Sequence, residues 1–286
     1  VSKNEQGEKG MPTSFAERDI RIAEAVVSCH ENGRPHNKYD AVATLPDGPS
    51  GVRQITYGAH QATDASNALD QIIERYIALK GEQAEAFGRY LPLLRKNTKE
   101  SCAVLASDQI FINMLREAAS ESAMVAAQNE IFRTNYMLPA IKACQKRRFS
   151  QPLSLAVIYD SLIHGGFGVI ANRVKALLDN ESVWIASYLI ERRNWLKNHP
   201  KRILNNAVYR MDTFLDLLIS DDIRSELGKM IEAEGTKETP SGKFCELVRK
   251  GRVSQPFFNA IVATGNWALA TPLVAHGVTI NETDLD

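Results

Sequence analysis

The 286-residue sequence predicts a mainly α-helical protein with one small β element, and three observations carry the prediction. Apolar residues recur at helical spacing through most of the chain beyond residue 65. The turn formers Pro46, Asp47, Gly48, Pro49, Ser50 and Gly51 crowd into a single stretch. The β-prone run Gln54-Ile55-Thr56-Tyr57 follows that stretch directly.

In chain order, residues 1–15 are rich in Lys, Glu, Gly and Ser and read as a disordered tail or linker. The stretch SFAERDIRIAEAVVSCHENG then places Ile20, Ile22, Ala23, Val26 and Val27 on one helical stripe. Ser14 is its expected cap and Asn32-Gly33 its stop, so Glu31 falls at the C-terminal end. After the small β element, helices are expected over about 65–80, 82–95, 107–148 with a break at Pro139, 152–164, 167–179, 181–197, 202–219 and 221–234. The polar, Gly- and Pro-containing EGTKETPSGK marks a surface loop. The expected organisation is a domain over 16–235 with an extension, 236–286, packed on it as an appendage.

Composition excludes several classes. Lys and Arg total 34, as do Asp and Glu, so no net field draws the chain to nucleic acid or anionic lipid. The basic run KACQKRRFSQ (142–151) reads as a solvated helix end. Cys29, Cys102, Cys144 and Cys245 lie far apart, with no CxxC pair; they read as buried free thiols rather than a zinc site. No apolar run reaches membrane-spanning length. The polar start VSKNEQGEKGMP lacks the apolar stretch of a signal peptide. It begins with Val, which reads as a processed product or a piece of a longer chain.

Two carboxylates stand out. Glycosidic bond cleavage needs one protonated carboxyl to donate to the leaving oxygen, and a second carboxylate to activate water or attack the sugar. Glu31 at a helix end and Asp47 in a water-accessible Asp-Gly turn are residues of that kind. Asp-Gly is also an ordinary turn, so the pair alone does not specify chemistry.

The segments SCHENGRPHNKYDAVATLPDG, YLPLLRKN, AQNEIFRTNYMLPAI, IYDSLIHGG and YLIERRNWL, in this order from about Arg21 to Asp212, resemble the chitosanases of glycoside hydrolase family 46. The resemblance implies a lysozyme-like, two-lobed helical fold with a small β hairpin beside the active cleft. It implies Glu31 as general acid, Asp47 as the base of an inverting mechanism, and Thr56 as the residue that positions the attacking water. It also implies that Asp160 pairs with Arg193 and Arg210 behind the cleft, as support for the site. No metal or organic cofactor is implied.

Two departures bear on the site. The stretch from Asp47 to Thr56 is longer than the family's usual spacing, which leaves Asp40 and Asp64 as reserve candidates for the second carboxylate. Ala68 stands where chitosanases carry an acidic residue for the glucosamine ammonium. The run Thr56-Tyr57-Gly58-x-x-Gln61 looks instead like lysozyme-like proteins that act on cell walls. Arg53, Tyr57, His60, Gln61 and Asp64 are the expected substrate contacts, Arg and Gln offering donors that suit acetamido and lactyl groups.

The sequence-level expectation is therefore a peptidoglycan glycosidase of the muramidase type. Its alternatives are a true chitosanase and a noncatalytic cell-wall-binding module on the same fold. Such an enzyme acts outside the cytoplasm, delivered as part of a longer chain. An immunity protein is the expected partner if it is an antibacterial effector.

Overall fold

The computed structural model describes residues 15–46, 48–59, 61–174 and 180–285. The expected N-terminal tail, Ser14 as a cap, Asp47, His60 and the end of the 167–179 helix lie outside the described residues. The structure is mostly helical with a small antiparallel sheet, and the chain divides into two compact units.

Helix α1 (Glu17–Asn32) forms as its periodicity predicts: Ile22, Ala23, Val26, Val27 and Cys29 are fully buried. Asp19 accepts a hydrogen bond from the Ala16 amide at its start, and Gly33 follows its end at φ 66°. That left-handed backbone suits glycine and closes the helix.

The unit formed by residues 25–138 carries the sheet. Strands β1 (Val42–Leu45), β2 (Gln54–Tyr57) and β3 (Ala62–Thr63) pair in that order, so the expected hairpin is a three-stranded sheet. Thr56 in the central strand lies opposite Ala43 on one side and Thr63 on the other. Helix α2 (Ala68–Ala78) buries Leu69, Ile72, Ile73 and Tyr76 in a core shared with Ile55, Tyr57, Phe87, Phe111, Leu115 and Met124.

Three expected helices are subdivided, the 202–219 segment into Arg202–Asn205 and Val208–Asp216, and the one expected from 167 is helical only over Phe167–Ala171 among the described residues. The 82–95 segment is two short helices, Ala84–Gly88 and Leu91–Leu94, the second carrying Pro92 in its first turn. The 107–148 segment comprises Gln109–Ala118, Ser122–Phe132, a π-helical turn Arg133–Met137 and Leu138–Arg147. Pro139 therefore does not break the chain direction. Having no N–H, it is accommodated by the wider turn immediately before it.

The other unit comprises the start of the chain to Glu24 together with the residues from Pro139 onward. Its helix Pro152–Ile163 is buried at every position from Pro152 to Ser161, and mostly apolar, as a central helix must be, with Ser154, Asp160 and Ser161 as buried polar exceptions. The expected appendage is built into this unit. Phe244, Cys245, Phe258, Ile261 and Val262 are buried, and Trp267 accepts a backbone hydrogen bond from Leu153 at 3.0 Å. Arg18 holds Glu282 through Nε at 2.8 Å and Nη2 at 3.0 Å. A second hairpin, β4 (Leu273–Ala275) and β5 (Val278–Ile280), was not evident in the sequence. Its strands are three residues each, too short for a period-two pattern to register.

All four cysteines are buried free thiols, as read from their spacing. In the basic 142–151 run, Arg147 lies over the rings of Phe167 and Trp184, 5.1 Å from each centroid. No helix among the described residues is long and apolar enough to cross a membrane, and no group of three or more His, Cys, Asp or Glu residues there could hold a metal.

Candidate active site

Glu31 sits in the last turn of α1, half-buried, and the turn after β2 closes on it. Gln61 donates its side-chain amide to Glu31 Oε2 at 3.0 Å. Gln61 itself has φ 58°, an uncommon backbone for a residue with a side chain, held by the tight turn that begins at Gly58. Of the expected substrate contacts, the structure thus brings Gln61 directly to Glu31.

That turn is fastened on several sides. Gly58 donates its amide to the Ala41 carbonyl at 2.8 Å. Asn32, next to Glu31, donates to the Ala59 carbonyl at 3.3 Å. The Ala59 amide donates to Oε1 of Gln128, a fully buried side chain, at 3.0 Å. Sequence reasoning missed Asn32 and Gln128 as parts of the site. Both lie inside quoted motifs, but nothing in their spacing signals a contact with a turn remote in sequence.

Thr56 is almost covered in the central strand, and Arg53 is exposed just ahead of β2. Asp40 is exposed at the entry to β1. Two expectations are corrected by burial. Tyr57 is wholly buried and donates its hydroxyl to the Leu115 carbonyl at 2.9 Å, so it is a core residue rather than a sugar contact. Asp64 is 2% exposed, and its Oδ1 accepts from the amides of Ile55 at 3.1 Å and Ala65 at 3.0 Å. It pins β2 to the following loop, and its burial there corrects its reading as a solvent-facing second carboxylate or substrate contact.

Burial raises the Asp64 carboxyl above its ordinary value, and burial followed by the neighbouring Asp64 charge pushes the Cys102 thiol up to about 11. A carboxyl raised in the folded state binds more protons folded than unfolded. Stability therefore falls as pH rises from about 4, the unfolded value, through the raised folded value. Asp64→Asn keeps the acceptor for Ile55 and Ala65 and removes this slope. The expected result is activity within about twofold of wild type, because general acid–base groups contribute far more than that. Its stability relative to wild type should rise across that pH range. Denaturant midpoints measured from pH 3.5 to 8 check the slope. A large loss of turnover would restore Asp64 as a base.

In the other unit, Asp160 is fully buried and its Oδ1 accepts from Arg210 Nε at 2.9 Å and Nη2 at 2.5 Å. Arg193 does not complete the expected trio. Its Nε donates to Asp212 at 2.5 Å, and its Nη2 to Glu238 at 2.9 Å. Asp212 and Glu238 give the fork two carboxylates within reach, which matches the planar donor set of arginine.

A mainly helical scaffold with a small antiparallel sheet, and a glutamate held at a helix end beside that sheet, match what is expected of a lysozyme-like glycoside hydrolase. The chain matches Glycosyl hydrolase family 46 over residues 25–218 and belongs to that family. It is 30% identical over 148 residues to a chitosanase of Bacillus subtilis (strain 168), a match covering 52% of this chain and 51% of that protein. The matched stretch thus spans about half the length of that curated relative. Among solved structures, the native chitosanase of Bacillus subtilis MY002 superposes with a TM-score of 0.64 at 21% identity, covering 94% of this chain and 100% of that one. A Gynuella sunshinyii family 46 chitosanase in complex with chitotetraose gives 0.66 at 18% identity, covering 94% and 99%. At such identities the superpositions show the fold.

Proposed function

We propose that this chain hydrolyses β-1,4 linkages in an amino-sugar polymer of the chitosan type. Glu31 gives its proton to the leaving glycosidic oxygen. Asp47, in the sequence between β1 and β2, takes a proton from the attacking water, and Thr56 helps to place that water. The water adds to the anomeric carbon as the glycosidic bond breaks, leaving one new reducing end per cut. The observation that carries this reading is the fixed placement of the Glu31 carboxyl by Gln61 at the end of α1. The chitosanases among its relatives support the substrate.

A second reading, peptidoglycan cleavage of the muramidase type, is favoured by one feature. Ala68 is buried where an acidic residue would be expected. Two carboxylates around α2 are matched by arginines, Glu74 with Arg95 and Glu130 with Arg75, which leaves Asp70 in its first turn. Fewer uncompensated carboxylates remain there to attract a polycation. Delivery outside the cytoplasm and an immunity partner belong to that second reading.

Incubation of the protein with chitosan and with purified peptidoglycan, side by side, tests the choice. Mass spectrometry of new reducing ends should show glucosamine oligomers. Muropeptides ending in reducing muramic acid, with chitosan untouched, would replace the first reading by the second.

A further inference from the structure

The side chain of Gln128 joins two backbone segments that reach the site from different parts of the sequence. It lies in the helix Ser122–Phe132 and is fully buried. Its Oε1 accepts from the Ala59 amide at 3.0 Å, and its Nε2 donates to the Tyr39 carbonyl at 3.2 Å. Next to it, Asn129 accepts from the Tyr39 hydroxyl at 2.9 Å, so the same helix grips the loop before β1 twice.

Gly58 shows how closely this amide is fitted. At φ 75°, a Cβ placed on Gly58 would lie 2.1 Å from Gln128 Oε1, so the turn and the amide occupy adjoining space that only glycine leaves open. Three residues on from Gly58, Gln61 reaches Glu31. Gln128 therefore holds Ala59, next to Gly58, while Gln61 bonds its amide to the Gly58 carbonyl and its side chain to the Glu31 carboxyl.

Resting on the reading of Glu31 as the acid, we propose that Gln128 is a positioning residue for the reaction. Its two hydrogen bonds tie Ala59 to Tyr39, and through Gln61, whose amide bonds back to the Gly58 carbonyl, they fix the direction in which Glu31 presents its proton. A buried amide that satisfies one donor and one acceptor of separate strands of chain is a rigid device, because losing it strands both backbone groups. Small displacements of an acid from its line of transfer lower turnover while leaving distant sugar contacts unchanged.

The test is steady-state kinetics on a chitosan oligomer with Gln128→Met, Gln61→Ala, the double variant and Gln128→Glu, all assayed well below their melting temperatures. Met keeps the volume and removes both hydrogen bonds. Gln128→Met should lower kcat about tenfold or more with KM within about twofold, since misplacement of this kind is costly to the chemical step. Gln61→Ala should lower kcat in the same way, and the double variant should be no worse than Gln128→Met alone, the mark of two residues acting in one line.

Gln128→Glu takes up a proton when buried, so its carbonyl oxygen accepts from Ala59 and its hydroxyl donates to Tyr39. It should recover most of the loss. Should Gln128→Met not fold, Gln128→Asn, too short to reach both partners, is read identically. Wild-type kcat in the Met or Asn variant, or losses that simply multiply with Gln61→Ala, would overturn the proposal. Glu31→Gln run alongside separates the two levels: full activity there removes the acid assignment itself, whereas an inactive Glu31→Gln beside a fully active Gln128→Met removes only the role of Gln128.

Discussion

Glu31→Gln is expected to fold as the wild type does and to lose turnover on chitosan by on the order of 10²- to 10⁴-fold, the range that general-acid catalysis contributes. The substitution changes little structurally. Glu31 is half-buried at a helix end, and a glutamine there still offers its carbonyl oxygen to the Gln61 amide that now reaches Glu31 Oε2 at 3.0 Å. What it cannot offer is a proton for the leaving oxygen. The loss should therefore depend on the leaving group. An aryl glycoside of an acidic phenol departs with little help, so Glu31→Gln should be impaired much less on it than on the natural linkage. Measuring kcat on both substrates separates lost proton donation from a disturbed site: a disturbed site impairs both alike. Circular dichroism and melting temperature check the fold.

Asp160→Ala is expected to be the most destabilising of the substitutions considered. The Arg210 guanidinium is 3% exposed and Asp160 is 0% exposed, with two donors of one arginine on a single carboxylate oxygen. Removing the carboxylate leaves a buried cation without this partner, which typically costs about 3–5 kcal/mol. In a protein of this size that lowers Tm by on the order of 10 °C. The pair links the central helix Pro152–Ile163 to the helix Val208–Asp216, so the loss falls on the packing of its unit. The double substitution Asp160→Leu with Arg210→Met removes both charges and should recover much of the loss, since a buried pair replaced by apolar groups of similar volume is often nearly neutral. Thermal and denaturant unfolding of the three proteins measures this. A Tm for Asp160→Ala within about 2 °C of wild type, a shift worth under roughly 1 kcal/mol at this size, would show that the other contacts of Arg210, Tyr209 among them, hold it without Asp160.

The sequence made the helices legible where burial follows one stripe. The α1 stripe is buried as its spacing implies, and α2, Ala68–Ala78, falls within a few residues of its expected place, whereas the helix Lys99–Ser107 was not expected and the one from Phe167 ends at Ala171. Legibility failed where a local signal had two structural answers. Pro139 reads as a break, yet a π-helical turn absorbs its missing donor without ending the helical course. The short strands β4 and β5 carry too few residues for any periodicity.

At the candidate site, the placement of Glu31 at a helix end was legible in the α1 stripe, and the family resemblance points to the same residue. Asp64 misled because a carboxylate in a polar stretch looks available. Only the folded sheet shows that the Ile55 amide takes it. Arg193 was assigned to Asp160, but Asp212 lies only two residues beyond Arg210, and spacing cannot tell which carboxylate a long side chain will reach. Glu238 lay in an expected surface loop and is instead partly buried against Arg193. Gln128 left no local trace at all, because its partners Tyr39 and Ala59 are brought to it by the fold.

The most direct measurement is a time course of reducing ends released from a defined chitosan oligomer by wild type, Asp64→Asn and Glu31→Gln at equal folded concentration. The first two should release product at comparable rates, while Glu31→Gln releases almost none. Release by Glu31→Gln at the wild-type rate would contradict Glu31 as the acid and, with it, the proposed site.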